Sequence, residues 1–214
     1  MNHDERIGVD ESGKGDFFGP LVIAACYVAP MHFAELEGVM DSKKLTDKKA
    51  LTLAAVIKKT CPHTVIAIGP AKYNELYAKI GNLNRLLEWG HARAIENVLE
   101  EQPCDTVISD QFANPAGLKR ALMQKGQEVN LISQVRAERD TAVAAASILA
   151  RAAFLNKLQS LGEDSGVELL KGAGANVDQL AARIIKDRGE EALAGLAKLH
   201  FKTIDKARNI AKGL

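Results

Sequence analysis

Three acidic side chains stand where strands should end, and a fourth lies between a strand and a helix. Asp10 and Glu11 close the short β-rich run Arg6–Asp10, and Asp110 closes Asp105–Asp110. Glu138 lies between the apolar run Val129–Ser133 and an alanine-rich segment. In open α/β sheets, ligands gather outside the carboxyl ends of the strands, so acids far apart in the chain can meet at one edge. Converging carboxylates repel unless a cation separates them. The sequence offers no His/Cys cage, so hard oxygen donors imply Mg²⁺ or Mn²⁺. Two such ions, ~4 Å apart, suit the attacking and departing oxygens of a phosphodiester. Taken singly, each acid is as readily a surface residue or a helix cap. Asp140, directly before Thr141, reads as a helix N-cap, which makes Glu138 the better ligand and keeps Asp140 as the alternative. Neighbours on a regular strand face opposite ways, so this reading requires the Ser12–Gly13 turn to release Glu11.

Three segments suit phosphate. Gly13-Lys14-Gly15 sets one cation between two residues that allow close backbone approach. Ser42-Lys43-Lys44 pairs a hydroxyl with two amines, as a nucleic-acid backbone requires, though a solvated charge run before a helix looks the same. Lys171-Gly172-Ala173-Gly174 is the third, and it lacks the spacing of a dinucleotide fingerprint. Near the end, Lys198, Lys202 and Lys206 fall at helical spacing, as a backbone-binding face or a wet helix surface. Trp89 reads as core. His91 reads as structural, with no partner evident.

These residues need elements to hold them. Arg6–Asp10 and Pro20–Val28 read as an antiparallel hairpin with a wide loop. Thr46 is a plausible N-cap for a helix with Leu51, Leu53, Ala54, Val56 and Ile57 on its apolar side. His63–Gly69 reads as a strand, and Ala71–Gln102 as helical, broken near Gly81-Asn82. Strands over Asp105–Asp110 and Val129–Ser133 follow, with a loop at Asn114-Pro115 between them. A long helix over Thr141–Leu161 comes next. Helices over about 177–214, separated at Gly189 and near His200, close the chain. The order predicts an α/β fold with one mixed sheet, and the opening hairpin argues against a purely doubly wound one.

The 214 residues suit a single domain with a helical C-terminal extension. Apolar residues at 47% and charged residues at 26% exclude global disorder. No uncharged apolar run is long enough to predict a membrane span. Cys26, Cys61 and Cys104 are scattered, which argues against a disulfide framework and a cysteine-built zinc site and points to a reducing cytoplasm. A net charge of +1 places any nucleic-acid contact in local patches. No G-x-x-x-x-G-K-[ST] loop occurs, which disfavours a small-molecule phosphate enzyme, and no small-molecule cofactor is expected.

The sequence resembles ribonuclease HIII, a type 2 ribonuclease H. The matching strings are D-E-S-G-K-G-D-F-F-G-P-L-V (10–22), D-S-K-K-L (41–45) and G-N-L-N-R-L-L-E-W-G-H-A-R-A (81–94). They continue with S-D-Q-F (109–112), R-A-E (136–138), V-A-A-A-S-I-L-A-R (143–151), K-G-A-G (171–174) and K-L-H-F-K (198–202). The Ser-Gly-Lys-Gly form favours ribonuclease HIII over ribonuclease HII, which has an arginine in that loop. The resemblance implies a ribonuclease H-like fold that cuts the RNA strand of RNA/DNA hybrids. It implies metal-binding acids at Asp10, Glu11, Asp110 and Glu138, and hybrid recognition at Gly13, Lys14 and Gly15. Ser42, Lys43, Lys44, Asn82, Asn84 and Arg85 fall on backbone-contacting positions. Compressed spacing after the fourth acid keeps Asp140 as its alternative. Family members commonly carry an N-terminal substrate-binding domain; only nine residues precede Asp10, so the resemblance implies that this domain is missing. A monomer is expected. The competing reading is a catalytically silent hybrid-binding module.

Overall fold

The computed structural model describes residues 5–39, 45–110 and 115–213. The opening hairpin forms as expected. Strand β1 (Arg6–Ser12) pairs antiparallel with β2 (Leu21–Val28), from Arg6↔Val28 to Ser12↔Val22. Every residue of β2 is buried, which explains its unbroken apolar sequence. With β3 (His63–Ile68), β4 (Thr106–Asp110) and β5 (Asn130–Gln134), the strands form one sheet in the order β3-β2-β1-β4-β5. The β1–β4 and β4–β5 pairs are parallel, so the sheet is mixed.

Strand alternation decides what each face carries. Gly8 lies against the start of helix α5 (Thr141–Ser165): a Cβ there would strike the Ala142 carbonyl and the Val143 nitrogen. Ile108, the ladder partner of Gly8, packs with Ala137 and Val143 on that same face. The other face meets helix α3 (Leu83–Glu101), where a Cβ on Gly90 would come 2.5 Å from the Cδ1 of Ile23. Ile23 is the ladder partner of Glu11. Asp10 therefore points to the α5 face and Glu11 to the α3 face.

The helix starts follow local chemistry. Thr46 Oγ1 accepts the Lys49 amide at 3.2 Å and caps α1 (Asp47–Thr60). Leu53, Ala54 and Ile57 are buried as expected, whereas Leu51 and Val56 are exposed. Helix α2 (Pro70–Ile80) ends at a left-handed Gly81, and Asn82 caps α3, as the break there predicts. A short helix α4 (Pro115–Ala121) stands where a loop was expected. Pro115 occupies its first position, where the missing N–H costs nothing. Helices α6 (Ala175–Arg188) and α7 (Thr203–Gly213) lie in the C-terminal part. One window of α5 is apolar enough to cross a membrane by composition, but two-thirds of it is buried in the protein, as in a core helix.

The chain divides into two compact units. The first takes in the described residues of Met1–Ser12, Val22–Ile66 and Asn82–Ala153; the second takes in Gly13–Leu21, Ala67–Gly81 and Phe154–Leu214. In the second unit, the segment before α7 straps down the β1–β2 loop. Lys198 donates its backbone N–H to the Phe17 carbonyl at 2.8 Å, and Gly19 donates to the Leu196 carbonyl at 2.9 Å. The Lys198 ammonium is buried, with the carbonyls of Phe18, Gly19 and Pro20 at 3.4, 2.7 and 3.4 Å. This overturns the expected basic face. Lys198 precedes the helix and points inward, and Lys206 pairs with Asp178 at 3.2 Å. A chain of rings through Phe17, Phe201, His200, Tyr77 and Tyr73 packs beside the strap.

Burial pulls the Lys198 amine down to about 7, with the charge of Asp16 opposing the fall. The three carbonyls oppose it too, because they accept best from an ammonium. A depressed lysine pKa means that the unfolded chain holds the extra proton between about 7 and its ordinary 10.5. Unfolding free energy should therefore rise with pH across that window. Urea titrations at several pH values should show a rise of up to a few kcal/mol in the parent that is missing from Lys198→Met. Equal pH slopes in the two proteins would refute the assignment.

Candidate active site

Asp10 and Asp110 stand side by side. Val9 pairs with Ser109 in the parallel β1–β4 ladder, and each acid is the next residue on its strand. Both therefore share the α5 face at the carboxyl ends of adjacent strands. Asp10 accepts the Glu11 amide at 2.8 Å and hydrogen-bonds Ser147 of α5. Burial, with the neighbouring Glu11 charge second, pushes its carboxyl up to about 7. Asp110 accepts the Ala137 amide at 3.3 Å. Ala137 opens the 3₁₀ turn Ala137–Arg139, so this bond draws the turn bearing Glu138 toward the end of β4.

Glu11 departs from expectation. It is not released by the Ser12–Gly13 turn: the ladder continues through Glu11↔Ile23 and Ser12↔Val22. Its side chain meets His91 of α3, Oε2 to Nε2, at 3.0 Å. His91 is fully buried, and no local spacing signals this partner eighty positions away. In this arrangement the pair draws the Glu11 side chain toward α3.

Asp140, the alternative to Glu138, caps a helix as expected. Asp140 Oδ1 accepts the Ala142 amide at 2.8 Å and the Val143 amide at 3.4 Å, and Oδ2 takes Arg6 Nε at 2.5 Å. Both oxygens are thus committed to capping α5 and tying it to β1. Among the described residues, no bond of this kind engages the Glu138 carboxylate.

The residues suit a divalent cation by chemistry. The donors are carboxylate oxygens, and those of Asp10 and Asp110 stand on adjacent strands. The cage is not closed. Among the described residues, no three His, Cys, Asp or Glu side chains already converge on a point that could hold an ion. Asp10, Glu11 and Asp110 rest on protein partners instead, from which they would turn to meet a metal.

The segments expected to meet phosphate fall in both units. Gly13, in the second unit, is left-handed at φ 85°, and a Cβ there would come within 2.9 Å of the Phe154 ring as well as striking the Pro20 carbonyl. Gly15 is open: nothing lies within 4 Å of a Cβ placed there. Gly172 ties the two glycine loops together, donating to Asp16 Oδ1 at 2.6 Å and accepting the Phe17 amide at 2.9 Å. Lys14 and Lys171 thus belong to loops that are stitched to each other. In the first unit, Asn82, Asn84 and Arg85 are exposed at the start of α3, with Asn82 Oδ1 also accepting the Arg85 amide at 3.2 Å. Ser42, Lys43 and Lys44 lie outside the described residues. Trp89, expected in the core, is 42% exposed.

The family model for ribonuclease HII matches residues 7–204. Ribonuclease HIII of Protochlamydia amoebophila is 48% identical over 202 residues, which is 94% of this chain and 67% of the relative. The chain belongs to the ribonuclease HIII family. Ribonuclease HIII of Chlamydia pneumoniae is 50% identical over 205 residues, again 94% of this chain and 69% of the relative. The chain thus spans about two-thirds of the length of these curated relatives. Among solved structures, Bst-RNase HIII in complex with Mn²⁺ superposes with a TM-score of 0.90 at 36% identity, covering 98% of this chain and 71% of that one. RNase H3 of Aquifex aeolicus follows at 0.77 and 30%, covering 94% of this chain and 74% of that one. The ribonuclease H-like fold expected from the sequence is therefore the fold observed.

Proposed function

We propose that the chain is a metal-dependent endoribonuclease that cuts the RNA strand of RNA/DNA hybrids and leaves 5′-phosphate and 3′-hydroxyl ends. The observation that carries this is the register that sets Asp10 beside Asp110 on one face of the sheet, within a chain of the ribonuclease HIII family. Asp10, Glu11, Asp110 and Glu138 are the proposed holders of two Mg²⁺ or Mn²⁺ ions. Such ions, when bound, supply an activated water and charge stabilisation for the departing 3′ oxygen. The protein's own part is positioning. His91 sets Glu11, Ser147 sets Asp10, and the Ala137 amide sets Asp110.

RNA differs from DNA at its 2′-hydroxyl, and the backbone of Gly13-Lys14-Gly15 is the proposed reader of that group. The open Gly15 gives a sugar room to approach. Ser42, Lys43, Lys44, Asn82, Asn84, Arg85 and Lys171 are proposed contacts to the sugar-phosphate backbone.

One gel tests the reading. Labelled hybrid, DNA duplex and single-ribonucleotide duplex are incubated with Mg²⁺, Mn²⁺ or chelator. Metal-dependent cleavage of the hybrid, with intact DNA, is expected. Binding without cleavage in either metal would assign the silent hybrid-binding module instead.

A further inference from the structure

Helix α3 turns an aromatic outward. Arg85, Trp89 and Arg93 recur every four residues, and all three are exposed, so they form one stripe. The stripe lies on the far side of the helix from Gly90 and His91, which face the sheet. It runs ~12 Å from Arg85 to Arg93, at the usual rise per residue. The acids placed to neutralise it are turned elsewhere. Glu88, three residues after Arg85, lies against Gly117 of α4. Glu96, three residues after Arg93, is buried and accepts the amides of Lys125 and Gly126, each at 2.9 Å. Among the described residues, no carboxylate pairs with either guanidinium.

We propose that this stripe binds an unpaired nucleic-acid strand, with a base stacked on Trp89 and phosphates on Arg85 and Arg93. The argument is one of matched chemistry. An exposed indole offers a face to any base that is free of its own stack, and aromatic stacking of this kind is tolerant of sequence. Flanking guanidiniums hold phosphates on either side, and ~12 Å spans three to four nucleotides of a strand. A duplex presents no free base face, so the aromatic selects a single strand, such as the overhang of a hybrid. An apolar protein partner would gain from the indole but would have to desolvate both guanidiniums. The inference deepens the hybrid-cleavage reading at Arg85 and extends it along α3 to residues that reading does not use.

The chain has one tryptophan, so its fluorescence reports Trp89 alone. The whole protein is titrated with an oligo-deoxythymidine single strand in chelator at low salt, and binding is followed in parallel by the anisotropy of a labelled oligonucleotide. Saturable quenching, with loss of access to acrylamide, is expected. Arg85→Gln and Arg93→Gln should each weaken oligonucleotide binding about three- to tenfold and lower the salt slope by about one. The proposal is overturned if the oligonucleotide does not bind, or if it binds with the emission unchanged. It is overturned equally if a blunt hybrid quenches as strongly as the single strand, or if Arg93→Gln binds like the parent. Hybrid cleavage, assayed separately, judges the enzymatic reading. Quenching without cleavage would sink that reading and leave this one standing.

Discussion

Asp10→Asn is expected to slow metal-dependent hybrid cleavage by at least about a thousandfold, or ~4 kcal/mol of barrier, while making the metal-free protein more stable. Both effects come from the same carboxylate. Asp10 is held on the α5 face beside Asp110, and burial with the Glu11 charge raises it from 3.8 to about 7. A raised carboxyl pKa means that the folded chain keeps a proton which the unfolded chain releases between those values. Stability therefore falls as pH rises through that window, and the full penalty is present above about 7. Asparagine keeps the shape and removes the charge, which relieves up to about 4 kcal/mol in the absence of metal. It also removes the donor that a divalent cation needs. Asp110→Asn should match the loss of rate. Single-turnover cleavage in Mg²⁺ and urea unfolding in chelator at pH 8 are the two measurements. Near-normal cleavage by both variants would end the assignment of these acids. An Asp10→Asn protein less stable than its parent would show that Asp10 is a satisfied structural group.

What the sequence revealed and what it hid differ in physical kind. Caps and registers are local, so they could be read. Thr46 and Asp140 cap α1 and α5 through bonds only two or three residues long. The acids fell at strand ends because strand type and length follow from the β-rich runs around them. What stayed hidden depends on partners far along the chain. Residue type alone places Trp89 inside and Lys198 outside, and the structure reverses both. Lys198 is tolerated inside because three carbonyls of one loop turn toward it, and that loop lies some 180 positions away. Glu11 was expected to swing free at a turn. It stays in the ladder because His91, on a helix across the sheet, meets it there. Neither closure is written in the spacing of nearby residues.

Gly8→Ala should cost at least about 3 kcal/mol of stability, and activity with it. The added methyl would meet backbone atoms, the Ala142 carbonyl and the Val143 nitrogen, which have no rotamer to change. Either β1 or the start of α5 must move. Neither can move alone. Asp140 caps α5 and pairs with Arg6, two residues before Gly8, and the Ala137 amide just ahead of the helix is bonded to Asp110. Retreat of α5 would draw on the same bonds that set Asp110 and the turn bearing Glu138, so the loss of rate should exceed the loss of folded protein. A fall in melting temperature of roughly 6–12 °C is expected for a chain of this size. Gly15→Ala is the control for stability, because a Cβ there meets nothing within 4 Å. Thermal melts of both variants, with cleavage rates normalised to the folded fraction, decide the matter. If Gly8→Ala melts with its parent, the helix is not seated on β1 as described, and the route from strand register to acid placement fails at its first step.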